Sequence, residues 1–212
     1  MDACDLPVVD RQKAAEIRQI KQAEPDNIGK MLSCARQLLA EKVQGNAMQN
    51  EGQIVRMEIP AGWSRSTVEH KLPAAANFVE YHADANEAVK LCTYYRGHRI
   101  SKDAGKRFHE LLAAAPHELT GQEYAALQEV LRDKANPEDF RVKSKKTEKI
   151  RGKMVLFVEG NFKAIKQDCY AIYVDAEDTG EVVQEIFYQA PQAVYSEYLK
   201  AAEAAINSIV WK

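Results

Sequence analysis

The sequence has few of the features that mark common enzyme classes or membrane proteins. Cysteine occurs four times in 212 residues, at Cys4, Cys34, Cys92 and Cys169, and no two of them form a CxxC pair. Zinc ribbons and dithiol redox sites need such pairs, so the sequence excludes both. No apolar run in the chain approaches the roughly 20 residues that a membrane-spanning helix needs.

Motifs for phosphate binding and for metal binding are also missing. The glycines form no GxGxxG, P-loop or GxSxG sequence, so no strand–helix junction offers a ready phosphate cradle or nucleophile elbow. The five histidines, His70, His82, His98, His109 and His117, are too widely spaced for an HxH or HExxH pair. We therefore expect no metal ion and no cofactor.

The beginning of the chain indicates a compartment, and the overall charge and composition indicate a class of protein. MDACDLPVVDRQK lacks the basic start and apolar run of a signal peptide, so we expect a cytoplasmic protein with reduced thiols. The net charge is −2, with 46% hydrophobic and 28% charged residues, which is typical of a globular domain and not of a nucleic-acid polycation.

The first part of the chain has helical patterns and the rest is dominated by strands. Asp10 and Asp26 are suited to cap two short amphipathic helices that Pro25 separates. QGNAMQNEGQ (44–53) then has the composition of a polar linker. The sequence thus predicts a helical extension over 1–50 and a main domain over 54–212.

The main domain alternates hairpin-linked strands with helices. Ser101 is placed to cap one helix, and Thr120 with Glu123 has capping-box spacing before a second. A third helix follows Pro191. This order predicts an α+β fold with a largely antiparallel sheet packed between helices. The predicted strands cover 54–60, 76–82, 88–95, 139–147, 153–160, 168–176 and 181–189.

Positive charge is concentrated in the middle of the chain. Arg96 to Lys153 holds 14 Lys and Arg against 9 Asp and Glu, a net of +5, whereas Gln167 to Lys212 holds 2 against 8, a net of −6. We predict a partner-binding surface in the basic segment. Alternating residues of the strand over 139–147 would share one face, although an ordinary solvated edge strand has the same pattern. The predicted residues are Arg96, His98, Arg99, Lys102, Lys106, Arg141, Lys143 and Lys145.

The stretch CTYYRGHRI (92–100) has the composition of a catalytic site. We interpret Cys92 to Tyr95 as the end of a strand with a buried thiol, and Arg96 to Ile100 as an exit loop. A catalytic thiol needs a base within hydrogen-bonding distance, and Cys92 and His98 would be about 20 Å apart on one strand. A dispersed Cys/His site with a base from elsewhere in the chain remains an alternative.

Three sequence motifs resemble the PsbP-like superfamily. IPAGW (59–63) follows a strand, VEGNFKAIKQDCYAIYVDA leads to VVQEIFYQAP, and the chain finishes with INSIVWK. The superfamily includes photosystem II PsbP, the yeast Ran-binding Mog protein and Eag-type secretion chaperones. The resemblance covers about residues 54–212 and implies an α/β/α sandwich in which Gly62 turns the chain and Trp63 packs in the core. Its members are mostly non-catalytic binding or assembly proteins.

The sequence thus favours a non-enzymatic binding, adaptor or chaperone-like protein that recognises a protein partner. The first alternative is a hydrolase or transferase with a dispersed Cys/His site. The second is binding of nucleic acid or an anionic surface through the basic segments, which the slightly acidic overall charge disfavours.

Overall fold

The computed structural model describes residues 47–212 of the chain. These residues belong to the compact unit Gly45–Lys212. The helices predicted after Asp10 and Asp26 lie outside the described residues. The linker predicted over 44–53 is wrong for Ala47–Glu51, which form strand β1. The strand forms because Met48 pairs with Met57 and both are buried, a tertiary contact that a short polar sequence does not reveal.

In the described part of the chain, residues 47–212, ten strands form two antiparallel sheets. The small sheet has the order β1–β2–β10, and the main sheet has the order β3–β4–β5–β9–β8–β7–β6. After β1, the strands are β2 (Ile54–Glu58), β3 (Trp63–Arg65), β4 (Asn77–Ala83), β5 (Asn86–Arg99), β6 (Phe140–Ile150), β7 (Lys153–Phe162), β8 (Gln167–Asp175), β9 (Val182–Pro191) and β10 (Val210–Trp211).

Residues 47–212 contain four helices, two of which begin where their capping residues predict. The Ser101 hydroxyl accepts from the backbone N–H of Ala104, and Thr120 and Glu123 form a reciprocal capping box. The second predicted helix is in fact two short helices followed by a 3-10 turn, Arg132–Lys134, which we call the 132–134 turn. The helices are α1 (Lys102–Ala113), α2 (Gly121–Ala125), α3 (Gln128–Leu131) and α4 (Tyr195–Asn207).

Apolar side chains cover both faces of the main sheet, which confirms the predicted α+β sandwich. On one face, Ile172 and Ile186 pack with α4 and the small sheet. Trp63 is 4% exposed and joins this cluster, as the motif predicted. On the other face, Leu156 and Tyr173 pack under α1, α2 and α3. Burial of two apolar faces is what stabilises such a layered domain.

Strand β5 is longer than the sequence predicts. The chain was expected to leave the sheet after Tyr95, but β5 continues to Arg99, which pairs with Val182 of β9. The register shifts between Tyr95 and Arg99, around Gly97. A bulge of this kind lets a strand continue through a glycine that breaks its alternating pattern.

Candidate functional site

Arg96 lies in the interior, which corrects its prediction as a surface residue. Its side chain is 0% exposed. The guanidinium donates hydrogen bonds to the backbone oxygens of Glu129 and Val130, at 2.8 Å and 2.5 Å. A carboxylate oxygen of Glu185 lies 3.7 Å from guanidinium nitrogen Nη2 of Arg96. Because β5 continues past Tyr95, Arg96 is on the sheet face that α3 covers and not in a loop.

The other basic residues of that segment lie around the end of β5 and the start of α1. Two of them are already paired with acidic side chains. Guanidinium nitrogens of Arg99 lie 2.9 Å from a carboxylate oxygen of Glu181 and 3.2 Å from one of Glu177. The Lys106 ammonium nitrogen lies 3.8 Å from a carboxylate oxygen of Glu110. These carboxylates compensate much of the positive charge. Partner binding here remains a prediction for the exposed residues His98, Arg99, Lys102 and Lys106.

The basic residues of β6 do not share one face, contrary to the prediction. The register against β7 shifts at Lys143, which is an extra residue in the strand. A bulge reverses the side to which the following residues point. The Lys143 ammonium therefore lies 5.5 Å from the ring centre of Tyr195, on the α4 side, whereas that of Lys145 lies 5.1 Å from the ring of Tyr124, on the α2 side.

A groove lies beside β6, at the free edge of the main sheet. It has a volume of about 870 Å³, which is within the range of ligand-binding sites. One wall comes from α2, α3 and the 132–134 turn, and the other comes from β6 and β7. We call it the β6 groove and define it by Tyr124, Gln128, Lys134, Phe140, Arg141 and Lys163.

The floor of the β6 groove is apolar and is held in place by close packing. The ring of Phe140 packs on that of Phe162, with ring centres 4.8 Å apart. Gly160 makes room for it, since a Cβ there would lie 2.4 Å from the Phe140 ring. The Tyr124 hydroxyl donates to the backbone oxygen of Lys134 at 2.6 Å. Burial raises the pKa of Tyr124 to about 12, so the hydroxyl stays protonated as a donor.

The rim of the β6 groove is cationic. Arg141 is exposed, and its side chain forms no hydrogen bond or ion pair within residues 47–212. Lys163 is also exposed and donates to the backbone oxygen of Pro137 at 2.7 Å. Among residues 47–212, no Asp or Glu lines the groove. An apolar floor with cations at its rim is suited to a ligand that joins an apolar group to an anionic one.

Lys134 closes the inner end of the β6 groove and is 4% exposed. Its ammonium lies 2.6 Å from a carboxylate oxygen of Glu185. The rings of Phe162, Tyr173 and Phe187 surround it, with centres between 5.3 Å and 5.9 Å away. Burial lowers the pKa of Lys134, but the Glu185 carboxylate outweighs burial, so the pKa lies well above its usual value. The pair therefore remains ionised and fixes the 132–134 turn to β9.

A second cleft lies across the 132–134 turn from the β6 groove. It has a volume of about 450 Å³ and is lined by the rings of Phe78, Tyr94 and Phe187. The Arg132 guanidinium lies 5.8 Å from the centre of the Tyr94 ring. Asp133 and Glu185 also line this cleft, so it carries charges of both signs. Its charge therefore does not favour an anionic ligand over a cationic one.

The residues of the catalytic alternative are not arranged for catalysis. Cys92 is 1% exposed, and burial raises the pKa of its thiol well above the usual value, the opposite of what a nucleophile needs. Nδ1 of His98 lies 2.9 Å from the backbone oxygen of Arg96. Among residues 47–212, no group of three or more His, Cys, Asp or Glu side chains could hold a metal ion.

Of the residues that define the β6 groove, the sequence singled out Arg141 alone as a binding residue. The sequence contains a signal for Tyr124, because the capping box and the apolar spacing place it on a helix face beside the sheet. It contains no signal that would identify Phe140 or Lys163 as groove residues, since these two come together only when β6 and β7 pair. Lys134 could not be found either, because a lysine in a polar stretch is ordinarily exposed.

Comparisons with known proteins support the fold. No protein-family model and no curated protein matches the chain. The structure is similar to the solution structure of cyanobacterial PsbP (CyanoP) from Synechocystis sp. PCC 6803, with a TM-score of 0.52 and 10% identity over 79% of this chain and 92% of that one. A crystal structure from Bacteroides thetaiotaomicron VPI-5482 has a TM-score of 0.38 and 10% identity, over 80% of this chain and 49% of that one. The chain thus has a PsbP-like fold, as its sequence motifs predicted.

Proposed function

We propose that the protein is a non-enzymatic binding protein that recognises a protein partner through the β6 groove. The observation that carries the proposal is a groove in which Phe140 and Tyr124 lie beside Arg141, whose side chain forms no hydrogen bond or ion pair within residues 47–212. The PsbP-like fold is consistent with a non-enzymatic protein. An adaptor or chaperone role belongs to the same proposal, as does the cytoplasmic location predicted from the sequence.

Residues 47–212 contain no helix that is long and apolar enough to cross a membrane. A location in the cytoplasm can be tested by fractionating cells of the native organism and detecting the endogenous protein. Recovery with membranes or outside the cell would contradict that part of the proposal without affecting the binding site.

Site-specific crosslinking in the native organism tests the partner proposal. A photoreactive amino acid replaces Gln128, an exposed residue of the β6 groove. The matched control carries it at Lys200, an exposed residue of α4 that does not line the groove. We expect one protein to crosslink from position 128 and not from position 200.

The captured protein is then purified and titrated against the full-length chain. Charge reversal at a binding surface should weaken the complex, so we expect Arg141→Glu to raise the Kd by about tenfold or more. Lys200→Glu, at an exposed residue of α4 outside the groove, should leave the Kd within about twofold of that of the unmodified protein. Equal effects of the two variants, or saturable turnover of a substrate that one point mutation abolishes, would refute the proposal.

A further inference from the structure

The free edge of β6 already pairs with another segment of this chain. The backbone N–H of Leu119 donates to the backbone oxygen of Lys145 at 3.0 Å, and that of Thr147 donates to the backbone oxygen of His117 at 2.8 Å. Glu118 and Lys146 form an antiparallel bridge between them. The backbone groups at this part of the edge can therefore form hydrogen bonds with an added strand.

The same edge continues into the β6 groove at Val142. The backbone N–H of Phe140 donates outward, to the backbone oxygen of Asn136 at 2.9 Å. Backbone groups of alternate residues in a strand point to the same side, so the N–H of Val142 also points outward. Val142 lines the β6 groove. The bulge at Lys143 ends this regular stretch, which limits an added strand to a few residues.

The side chains beside Val142 restrict the chemistry of such a strand. Tyr124 and Val142 are partly exposed and offer apolar surface, and Arg141 and Lys163 offer positive charge at the rim. Because no Asp or Glu among residues 47–212 lines the groove, a basic segment would gain no ion pair with these residues. A segment with a carboxylate close to an apolar side chain matches both the floor and the rim.

We propose that the partner contributes an extended acidic segment, which adds a short strand to β6 at Val142. One apolar side chain of the segment packs on Tyr124 and Val142, and a carboxylate near it pairs with Arg141 and Lys163. The N–H of Val142 donates to the backbone of the segment. This inference rests on the proposed function and adds to it the chemistry and the conformation of the bound segment.

Peptide selection tests the chemistry. A display library of random peptides of about ten residues is selected on the full-length protein. Because Arg141 and Val142 are neighbours on β6 and point to opposite faces, we expect the selected peptides to combine Asp or Glu with an aliphatic or aromatic residue one or three positions away. Their Kd should rise about tenfold with Arg141→Glu and stay within about twofold with Lys200→Glu. Replacing the peptide's acidic residues by lysine should restore binding to the Arg141→Glu variant.

Peptides without carboxylates, no selected peptides, or peptides indifferent to Arg141→Glu would each overturn the inference. These outcomes are distinguishable from a failure of the proposed function. If crosslinking from position 128 identifies a partner whose bound segment is basic or neutral, the function stands and the segment chemistry is wrong. If no protein crosslinks from position 128 although acidic peptides bind there, the partner proposal fails on its own.

N-methylation of the peptide tests the conformation and leaves the protein unchanged. Each peptide amide is methylated in turn and the Kd is measured by fluorescence anisotropy. An added strand uses alternate backbone groups, so the Kd should rise about tenfold at every second position within the bound stretch. Sensitivity every three or four residues would indicate a bound helix, and uniform insensitivity would exclude backbone pairing. Either result would refute strand addition.

Discussion

The ammonium nitrogen of Lys134 lies 2.6 Å from carboxylate oxygen Oε1 of Glu185, and both side chains are buried in the main domain. Arg96 approaches the other carboxylate oxygen at 3.7 Å. The pair joins the 132–134 turn to the middle of β9. Since this turn forms part of one wall of the β6 groove, the buried pair also determines the shape of the candidate binding site.

Removal of the lysine charge should strongly destabilise the protein. Lys134→Met leaves the buried Glu185 carboxylate with Arg96 alone, 3.7 Å away, and removing one partner of a buried ion pair costs about 3 to 5 kcal/mol. Urea denaturation followed by circular dichroism measures the free energy of unfolding. The control is Lys145→Met, which removes a half-exposed lysine beside the same groove and should cost less than about 1 kcal/mol. Equal losses for the two variants would contradict the structural role of the pair.

The stabilisation by this pair should depend on pH in a defined direction. Burial raises the pKa of Glu185, but Lys134 and Arg96 outweigh burial and hold it below its usual value of 4.5. A lowered folded pKa contributes stability that is present above the unfolded value and is lost as the pH falls through the folded value. The wild-type protein should therefore lose this contribution in acid, below about pH 4.5.

The Lys134→Met variant should respond to acid in the opposite way. Without Lys134, burial dominates and the pKa of Glu185 rises, so protonation relieves the unpaired charge. The difference in the free energy of unfolding between wild type and variant should shrink by at least about half from pH 7 to pH 3. Urea titrations at both pH values measure it. A constant difference would show that Glu185 does not titrate as the structure requires.

The two described cysteines should be inert in the native protein. Burial raises the pKa of Cys169 to about 12 and that of Cys92 well above its usual value. Thiolate is the reactive form, so iodoacetamide at about pH 8 should label neither residue without denaturant and both in urea. Mass spectrometry of the peptides measures each site separately. Rapid native labelling of Cys92 would revive the catalytic alternative.

Three glycine substitutions should differ because their backbones and surroundings differ. Gly180 has φ 73°, and a Cβ there would lie 1.9 Å from the backbone oxygen of Gly105, so Gly180→Ala should cost about 3 kcal/mol. Gly62 has φ 76° and open space around it, so Gly62→Ala should cost about 1 kcal/mol. Gly121 has neither restriction, so Gly121→Ala should change stability by less than about 0.5 kcal/mol. Thermal unfolding of the three variants tests the order.

Local chemistry made much of the fold predictable. Ser101 and the pair Thr120 and Glu123 identify helix starts because their side chains bond to backbone groups within three residues. The hairpin of β8 and β9 was predictable because apolar strands flank the turn that ends at Gly180. The short helices α2 and α3 were predicted as one, since the apolar spacing does not show where the backbone leaves the helix.

The candidate site was less predictable because it depends on contacts between distant segments. Arg96 appeared to be a surface residue because the sequence does not show that β5 continues beneath α3. Arg141, Lys143 and Lys145 were expected on one face because a bulge leaves no mark on alternating residues. The partner-binding role of the exposed basic residues remains a prediction.

The sequence by itself determined the order of most helices and strands and the α+β class, because these depend on neighbouring residues and on apolar periodicity. Its short motifs also indicated the PsbP-like fold. Only the tertiary structure decided which charges are buried and which are free. Lys134 and Arg96 are interior residues because Glu185 lies opposite them on β9, whereas Arg141, at the rim of the β6 groove, forms no ion pair with any residue of 47–212. The burial of a charge depends on its partner, and that partner is distant in sequence.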